Sequence, residues 1–481
     1  MITYCGMSSA RGVTRRGFLT VAVSAIVAGV VAGVGAYYAG TLTAPAEVTK
    51  EVTKTIERTT TTTVTKTITE TVATTPTTPV TPTTPTTPTT PTTTPTLPPK
   101  DKFVVGYACA LTGAYAADDL PKQRTVYEII VEEWNAKGGI YLPEYGKRVP
   151  IEVKIEDSKS DIETYIRLLE KFITVDKVDW LFSVYGTAAH FAIIPLIEKY
   201  KYPVIALTAM SDKITEMTYR GESNYLFSIQ RNATVTARDV ADFVAHVVTE
   251  TGLKNIGVIY ITELFGLEGA GALRIALYDR KLSPVVYEGY PIGITDLSPL
   301  IKKLMDANVE ILVVYTYPAD TFLLMKQAKE LGFSPKIWIG NMMIDTPLIA
   351  IPNFGKETLM GLIVMWGFCA YDKPAAREFA EKYKAKTGYY PSPHQIGLYL
   401  AQNIAFSLIE KYGLDREKIA KILWTETFDT PLGKARFDPA QGFVWEGRGA
   451  LGQWQGGDKL EVIWPPEAAT AKWIFKPPWP S

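Results

Sequence analysis

Histidine and cysteine are almost missing from this 481-residue chain, which has three of each. The cysteines, Cys5, Cys109 and Cys369, are too few for a disulfide scaffold and have no metal-ligand spacing. Only Cys109 and Cys369 fall in the folded part, which leaves one bridge or two buried thiols as alternatives. The sequence holds no Gly-x-Ser-x-Gly, no His-Glu-x-x-His and no Gly-x-x-x-x-Gly-Lys-Ser/Thr, so common hydrolase, zinc-protease and nucleotide-binding chemistries find no support. Charge of one sign is missing too, since fifty basic residues balance fifty acidic ones. Without a basic run interleaved with aromatics, nucleic acid is not an expected partner. The expectation is a protein without a catalytic set, a metal or a cofactor.

What is present falls into blocks. Thr14-Arg15-Arg16-Gly17-Phe18-Leu19-Thr20 precedes an uncharged Ala/Val/Gly-rich run from Val21 to Gly40. A basic segment before an apolar one reads as an export signal, and the paired arginines before Phe-Leu resemble the twin-arginine motif. About 20 apolar residues also suffice to span a bilayer, so residues 1–40 are expected to be a signal or a membrane anchor. Residues 41–100 are dominated by Thr and then by Thr-Thr-Pro repeats. Proline at that density favours extended polyproline II geometry and gives a packed core nothing to use, so the tract reads as a stalk.

From Asp101 the composition becomes globular, and apolar runs alternate with amphipathic stretches. Strands are expected at Phe103 to Ala110, Val149 to Glu156, Leu181 to Tyr185 and Pro203 to Leu207, with helices between, including one from about Leu120 to Ala136. A second series places strands at Ile256 to Ile261, Val285 to Tyr290, Ile311 to Tyr315 and Ile337 to Ile339. Such alternation makes an α/β fold with parallel sheets. Two units of similar design leave a groove between them.

The stretch Leu181 to Thr215 contains two strand-to-helix turns bearing small and hydroxylic residues, Gly186-Thr187 and Thr208 to Ser211. Free amides and the positive dipole end at a helix N-terminus make an anion seat, and open α/β sheets bind ligands at the carboxyl edge of their strands. Taken alone, the same residues also read as ordinary N-caps. Tyr107, Tyr115, Tyr185, Tyr315 and Tyr317 gather at strand ends, which suits either a pocket for a flat or apolar solute or the closing of a core. His190, one turn beyond Thr187, is placed to reach the cleft or to serve as a surface or capping residue. Asn232-Ala233-Thr234 matches a glycosylation sequon.

Four segments in order carry a family resemblance: Val105-Gly106-Tyr107-Ala108-Cys109-Ala110-Leu111-Thr112-Gly113, Asn135-Ala136-Lys137-Gly138-Gly139-Ile140, Lys326 to Phe333, and Thr430-Pro431-Leu432-Gly433 with Arg436-Phe437-Asp438, Gly442 and Gln453 to Gly457. The chain from Asp101 to Pro466 resembles the periplasmic solute-binding proteins of the branched-chain amino acid (leucine/isoleucine/valine) ABC transporters. The resemblance implies two Rossmann-like lobes joined by a three-crossover hinge, the type I periplasmic binding fold. Lobe 1 would comprise about 101–230 and 366–429, and lobe 2 about 231–365 and 430–466, with 467–481 as a tail. It further implies an exported, tethered receptor for a small solute, with permease subunits as partners and closure driven by contacts to both lobes.

Carried over by position, the resemblance puts the ligand carboxylate against Thr187, Ala188 and Thr208. It puts Met210 where the family has another hydroxyl, and Phe265 and Tyr317 on the opposing wall. Asp118 falls at the cleft mouth or in a solvated loop. The family's carboxylate for a ligand ammonium falls on Met342. A buried ammonium without an anionic partner is costly, so Asp345, Glu263 or Asp118 replaces it, or the ligand has no ammonium group. The expected ligand is a branched-chain amino acid or related small carboxylate; the alternatives are an amide, urea or another solute lacking an ammonium, or a sensory ectodomain with the same clamp.

Overall fold

The computed structural model describes residues 98–340, 344–365, 374–445 and 449–480. The expected export segment, most of the Thr/Pro tract, Met342 and Cys369 lie outside the described residues. The first strands are β1 (Phe103–Cys109), the hairpin β2 (Ile140–Leu142) and β3 (Lys147–Val149), β4 (Ile151–Asp157), β5 (Trp180–Leu181), β6 (Val204–Ala206) and β7 (Leu226–Ser228). β1 pairs in parallel with β4 and β5, and β6 pairs in parallel with β7. In that register Val105 stands opposite Val153 on one side and Trp180 on the other.

The second group comprises β8 (Ile256–Ile261), β9 (Val286–Tyr290), β10 (Ile311–Tyr315), β11 (Ile337–Gly340) and β12 (Ile363–Val364). Beyond it come β13 (Phe428–Thr430), β14 (Gly433–Asp438), β15 (Gly442–Trp445), β16 (Leu451–Trp454) and β17 (Leu460–Trp464). β17, β16, β12, β11, β10, β8 and β9 form one seven-stranded sheet in that order. It is parallel from β12 to β9, and antiparallel where β16 and β17 join. β13 to β15 make a separate antiparallel sheet.

Every residue of β10 is buried, and so is all of β1 except half-buried Val104. Apolar runs without alternation suit parallel strands covered on both faces, and helices supply that cover. Several helices start at side-chain caps: Asp161 accepts from Thr164 N, Ser211 from Ile214 N, Asn232 from Val235 N and Ser392 from Gln395 N. Each cap satisfies one orphan amide of a first turn. Cys109 is a buried free thiol.

Four expectations need adjustment. Of the strand expected at Leu181 to Tyr185 only Leu181 joins the ladder, in a two-residue strand that begins one residue earlier, at Trp180. The helix expected from Leu120 starts at Ala116 and passes through a π-helical turn, Leu120–Arg124, before Thr125–Ala136. The helices Ala233–Thr251, Pro347–Leu359 and Arg416–Thr425 were not foreseen, the first being rich in β-branched residues. Asn232, the first residue of the sequon, is 8% exposed and its side-chain oxygen caps the helix Ala233–Thr251. Residues 470–480 pack on the seven-stranded sheet, with Lys476 N bonded to Lys336 O and Trp479 Nε1 to Phe333 O.

Candidate functional site

The site lies beyond the carboxyl ends of β5, β6, β8 and β10. After β5 the chain reaches Gly186, which has a φ of 93° and leads into the helix Thr187–Tyr200. An L side chain rarely adopts that conformation, and a Cβ there would also meet the Tyr115 ring at 3.5 Å. Past β6, the Thr208 hydroxyl accepts from Gly186 N at 2.9 Å, which fastens the two turns together. Thr187 Oγ1 accepts from Met210 N at 3.3 Å. Thr187 and Ala188, at the amino end of one helix, are therefore brought together with Thr208 of the neighbouring turn. His190 is not part of the cleft: it is fully buried, 2.8 Å from Ser183 Oγ and from Gly186 O, and burial holds its imidazole at about 4, so it stays neutral and braces the turn.

The facing wall comes from the seven-stranded sheet. Glu263 ends the turn after β8 and caps the helix Leu264–Asp279 through Phe265 N at 3.0 Å. Its other oxygen accepts from Ala188 N at 3.2 Å, and Tyr317 donates its hydroxyl to Glu263 at 2.9 Å. Burial pushes the Glu263 carboxyl above its ordinary range, while the Phe265 and Ala188 amides and Tyr317 pull the other way. Tyr115 lies between Tyr185 and Tyr317, with ring centroids 5.3 and 5.0 Å away, and Phe265 stands 5.4 Å from Tyr317. These rings are all buried. Met210 points at the same helix, where a Cβ added to Gly269 would lie 3.0 Å from its Cε. An apolar contact thus stands where the resemblance placed a hydroxyl. Five residues along, Glu268 accepts from Asp212 N at 2.9 Å, and burial raises its carboxyl to about 7.

Asp118 is fully buried and is not in a solvated loop. It accepts from Lys122 Nζ at 2.9 Å and from the Tyr185 hydroxyl. Lys122 also bonds Asp345 at 3.0 Å, and His394 Nδ1 is 3.2 Å from the other Asp345 oxygen. Burial raises the Asp118 carboxyl, whereas at Asp345 Lys122 and His394 outweigh burial and hold it below its usual range. Asp118 Oδ1 is buried without a partner among the described residues. Neighbouring Asp119 accepts from Tyr107, Ala110 N and Gln123, which fixes the π-helical turn that carries Lys122.

Thr187, Ala188, Thr208, Phe265 and Tyr317 thus gather where strand ends of the two sheets meet, Asp118 adjoins them through Tyr185, and Met342 lies outside the described residues. Lys122 and Glu268 were not foreseen as parts of it. The spacing of Asp118 and Lys122, one helical turn apart, was the available signal for the first. Glu268 left none, since only the packing of two helices brings it to Asp212. Among the described residues there is no group of three or more His, Cys, Asp or Glu able to hold a metal ion, and no helix long and apolar enough to cross a membrane.

Two parallel-sheet units whose strand ends face each other across amides, hydroxyls and aromatic rings define a two-lobed solute-binding protein of the type I periplasmic binding fold. The family described as "Periplasmic binding protein" matches residues 102–459, and the chain belongs to it. It is one of substrate-binding proteins rather than enzymes. The chain is 26% identical over 367 residues to Leu/Ile/Val-binding protein homolog 8 of Brucella melitensis, covering 73% of this chain and 87% of that one. Its fold is shared with the branched-chain amino acid transporter substrate binding protein LivJ of Streptococcus pneumoniae in complex with isoleucine, at TM-score 0.62 and 20% identity over 75% of this chain and 98% of that one. A solute binding protein of an ABC transporter from Rhodopseudomonas palustris in complex with 3,4-dihydroxybenzoic acid is similar as well, at TM-score 0.60 and 20% identity, with coverages of 75% and 99%.

Proposed function

We propose that this chain is the extracytoplasmic solute receptor of an ABC importer and that it closes its two lobes on a small carboxylate with an aromatic or apolar body. The observation that carries this reading is a carboxylate, that of Glu263, hydrogen-bonded to Ala188 N at the start of the helix Thr187–Tyr200. An anion placed there gains an orphan amide and the positive end of the helix dipole. Thr208 has a hydroxyl proton to add, and Tyr115, Phe265 and Tyr317 supply the flat walls. The Arg15-Arg16 segment and the Thr/Pro tract support export and tethering at the outer face of the membrane, with permease subunits as partners. That the relatives' ligands include isoleucine and an aromatic acid fits a site that recognises the carboxylate first.

A second reading is favoured by Asp118, whose unpartnered, buried Oδ1 suits the ammonium of an amino acid. Asp345 is less suited, since His394 faces its second oxygen in addition to the Lys122 that it shares with Asp118. Calorimetry with isoleucine, its deaminated keto acid, 4-hydroxybenzoate and the matching primary amides separates the readings. Binding of the acids with or without an ammonium, and not of their amides, is expected. Tight binding of a neutral amide with no acid bound would overturn the carboxylate reading, and a requirement for the ammonium would select the second.

A further inference from the structure

We propose that Glu263 is an internal occupant of the carboxylate seat: in the absence of solute its side chain closes the clamp by taking the place of the solute's carboxylate, and an incoming carboxylate must displace it. This rests on the carboxylate reading above and adds a competitor to it.

Three observations support the assignment. Glu263 is longer than the usual capping residues, and it serves two helices at once. One oxygen accepts from Phe265 N of its own helix, at 3.0 Å, and the other accepts from Ala188 N of the facing helix, at 3.2 Å. Its charge therefore lies between the positive ends of two helix dipoles, the arrangement that a bound anion would exploit. The groups that favour its charged form are amides and the Tyr317 hydroxyl, with no lysine, arginine or histidine among them. Hydrogen bonds of this kind can be handed to another carboxylate of the same shape. Finally, Tyr317 holds Glu263 while its ring packs against Tyr115 and Phe265, so withdrawal of the carboxylate frees the aromatic wall in the same movement. Glu268 makes a related contact to Asp212 N farther along the same helix, beside the Met210–Gly269 approach, and so does not compete for Ala188 N.

The test uses the full chain and two variants, Glu263→Ala and Glu263→Gln, with 4-hydroxybenzoate and isoleucine as probes and their primary amides as controls. Removing the competitor should tighten binding of the carboxylate by roughly ten-fold or more, the size of one charge-assisted hydrogen bond exchanged. Glu263→Gln, which keeps an oxygen for Phe265 N, should move in the same direction by less, and the amides should be indifferent. Without any solute, small-angle scattering should show the wild type more compact than Glu263→Ala. Unchanged or weaker carboxylate binding by Glu263→Ala, with wild-type binding intact, would overturn the occupancy and leave the carboxylate reading standing. Equal compactness of wild type and variant would overturn it too. Binding of an amide but of no carboxylate by either protein would overturn both.

Discussion

Two sets of carboxylates, all buried except half-buried Glu263, tie the helices of the first sheets to those around the seven-stranded sheet, and they are compensated in opposite ways. Glu263 and Glu268, on one helix, rest on the amides of Ala188 and Asp212 with no cation among the groups bonded to them. Asp118 and Asp345 share Lys122, with His394 beside the second. Amides offer an anion a place without owning a particular one, so a solute can replace what sits there. A buried lysine between two aspartates is a fixed brace, since separating its members leaves charge unpaired in a dry interior. In the proposed reading Glu263 of the first set is where recognition occurs, and the second set keeps the lobes in register.

The largest way to break this contrast is Lys122→Met. It leaves Asp118 and Asp345 facing each other without a cation, and denaturant unfolding should lose about 3–5 kcal/mol. The same substitution made with Asp118→Asn and Asp345→Asn should lose clearly less. Equal losses would mean that the lysine acts through packing rather than charge.

Glu268 supplies the next effect through pH. Its carboxyl rises from 4.5 to about 7 on folding, so between those values the unfolded chain gives up a proton that the folded chain retains. Its contribution is thus complete below 4.5 and is lost as pH rises to about 7, in total roughly 3 kcal/mol. His190 slopes the other way: its folded value of about 4 against 6.5 means that stability is present above 6.5 and lost on acidification. Comparing wild type with Glu268→Gln isolates the first slope, and parallel profiles for the two proteins would refute it.

Gly269→Ala should cost about 1–3 kcal/mol, because the added methyl would lie 2.4 Å from the Tyr315 ring and 3.0 Å from Met210. Thermal melts of the variant measure it. The smallest effect is expected of Thr208→Val, which removes one neutral hydrogen-bonding group and should weaken carboxylate binding about five- to ten-fold. Calorimetry on that variant would sharpen the difference between the seat and the brace, since the fold should hold while binding falls.

The sheets were legible because fully apolar five- and six-residue runs such as Ile311 to Tyr315 and Ile256 to Ile261 have few alternatives to a buried strand. The first wall was legible for a similar reason: Gly186, Thr187 and Thr208 announce strand-to-helix turns through their own backbone chemistry. The facing wall was harder. The sequence offers Glu263 only as one candidate partner for a ligand ammonium, and its bond to Ala188 N arises only when two helices pack. Lys122 reads as surface charge until a π-helical turn rotates it inward toward Asp345, 223 residues away. Contacts between lobes depend on how two folded units meet, and no local pattern in either one encodes that.

The most direct measurement is a crystal structure of the protein with a bound small carboxylate such as 4-hydroxybenzoate. The ligand's carboxylate is expected within hydrogen-bond distance of Ala188 N and the Thr208 hydroxyl, with Glu263 turned away and Lys122 still between Asp118 and Asp345. A complex in which Glu263 remains on Ala188 N while the ligand's carboxylate binds elsewhere would contradict the account.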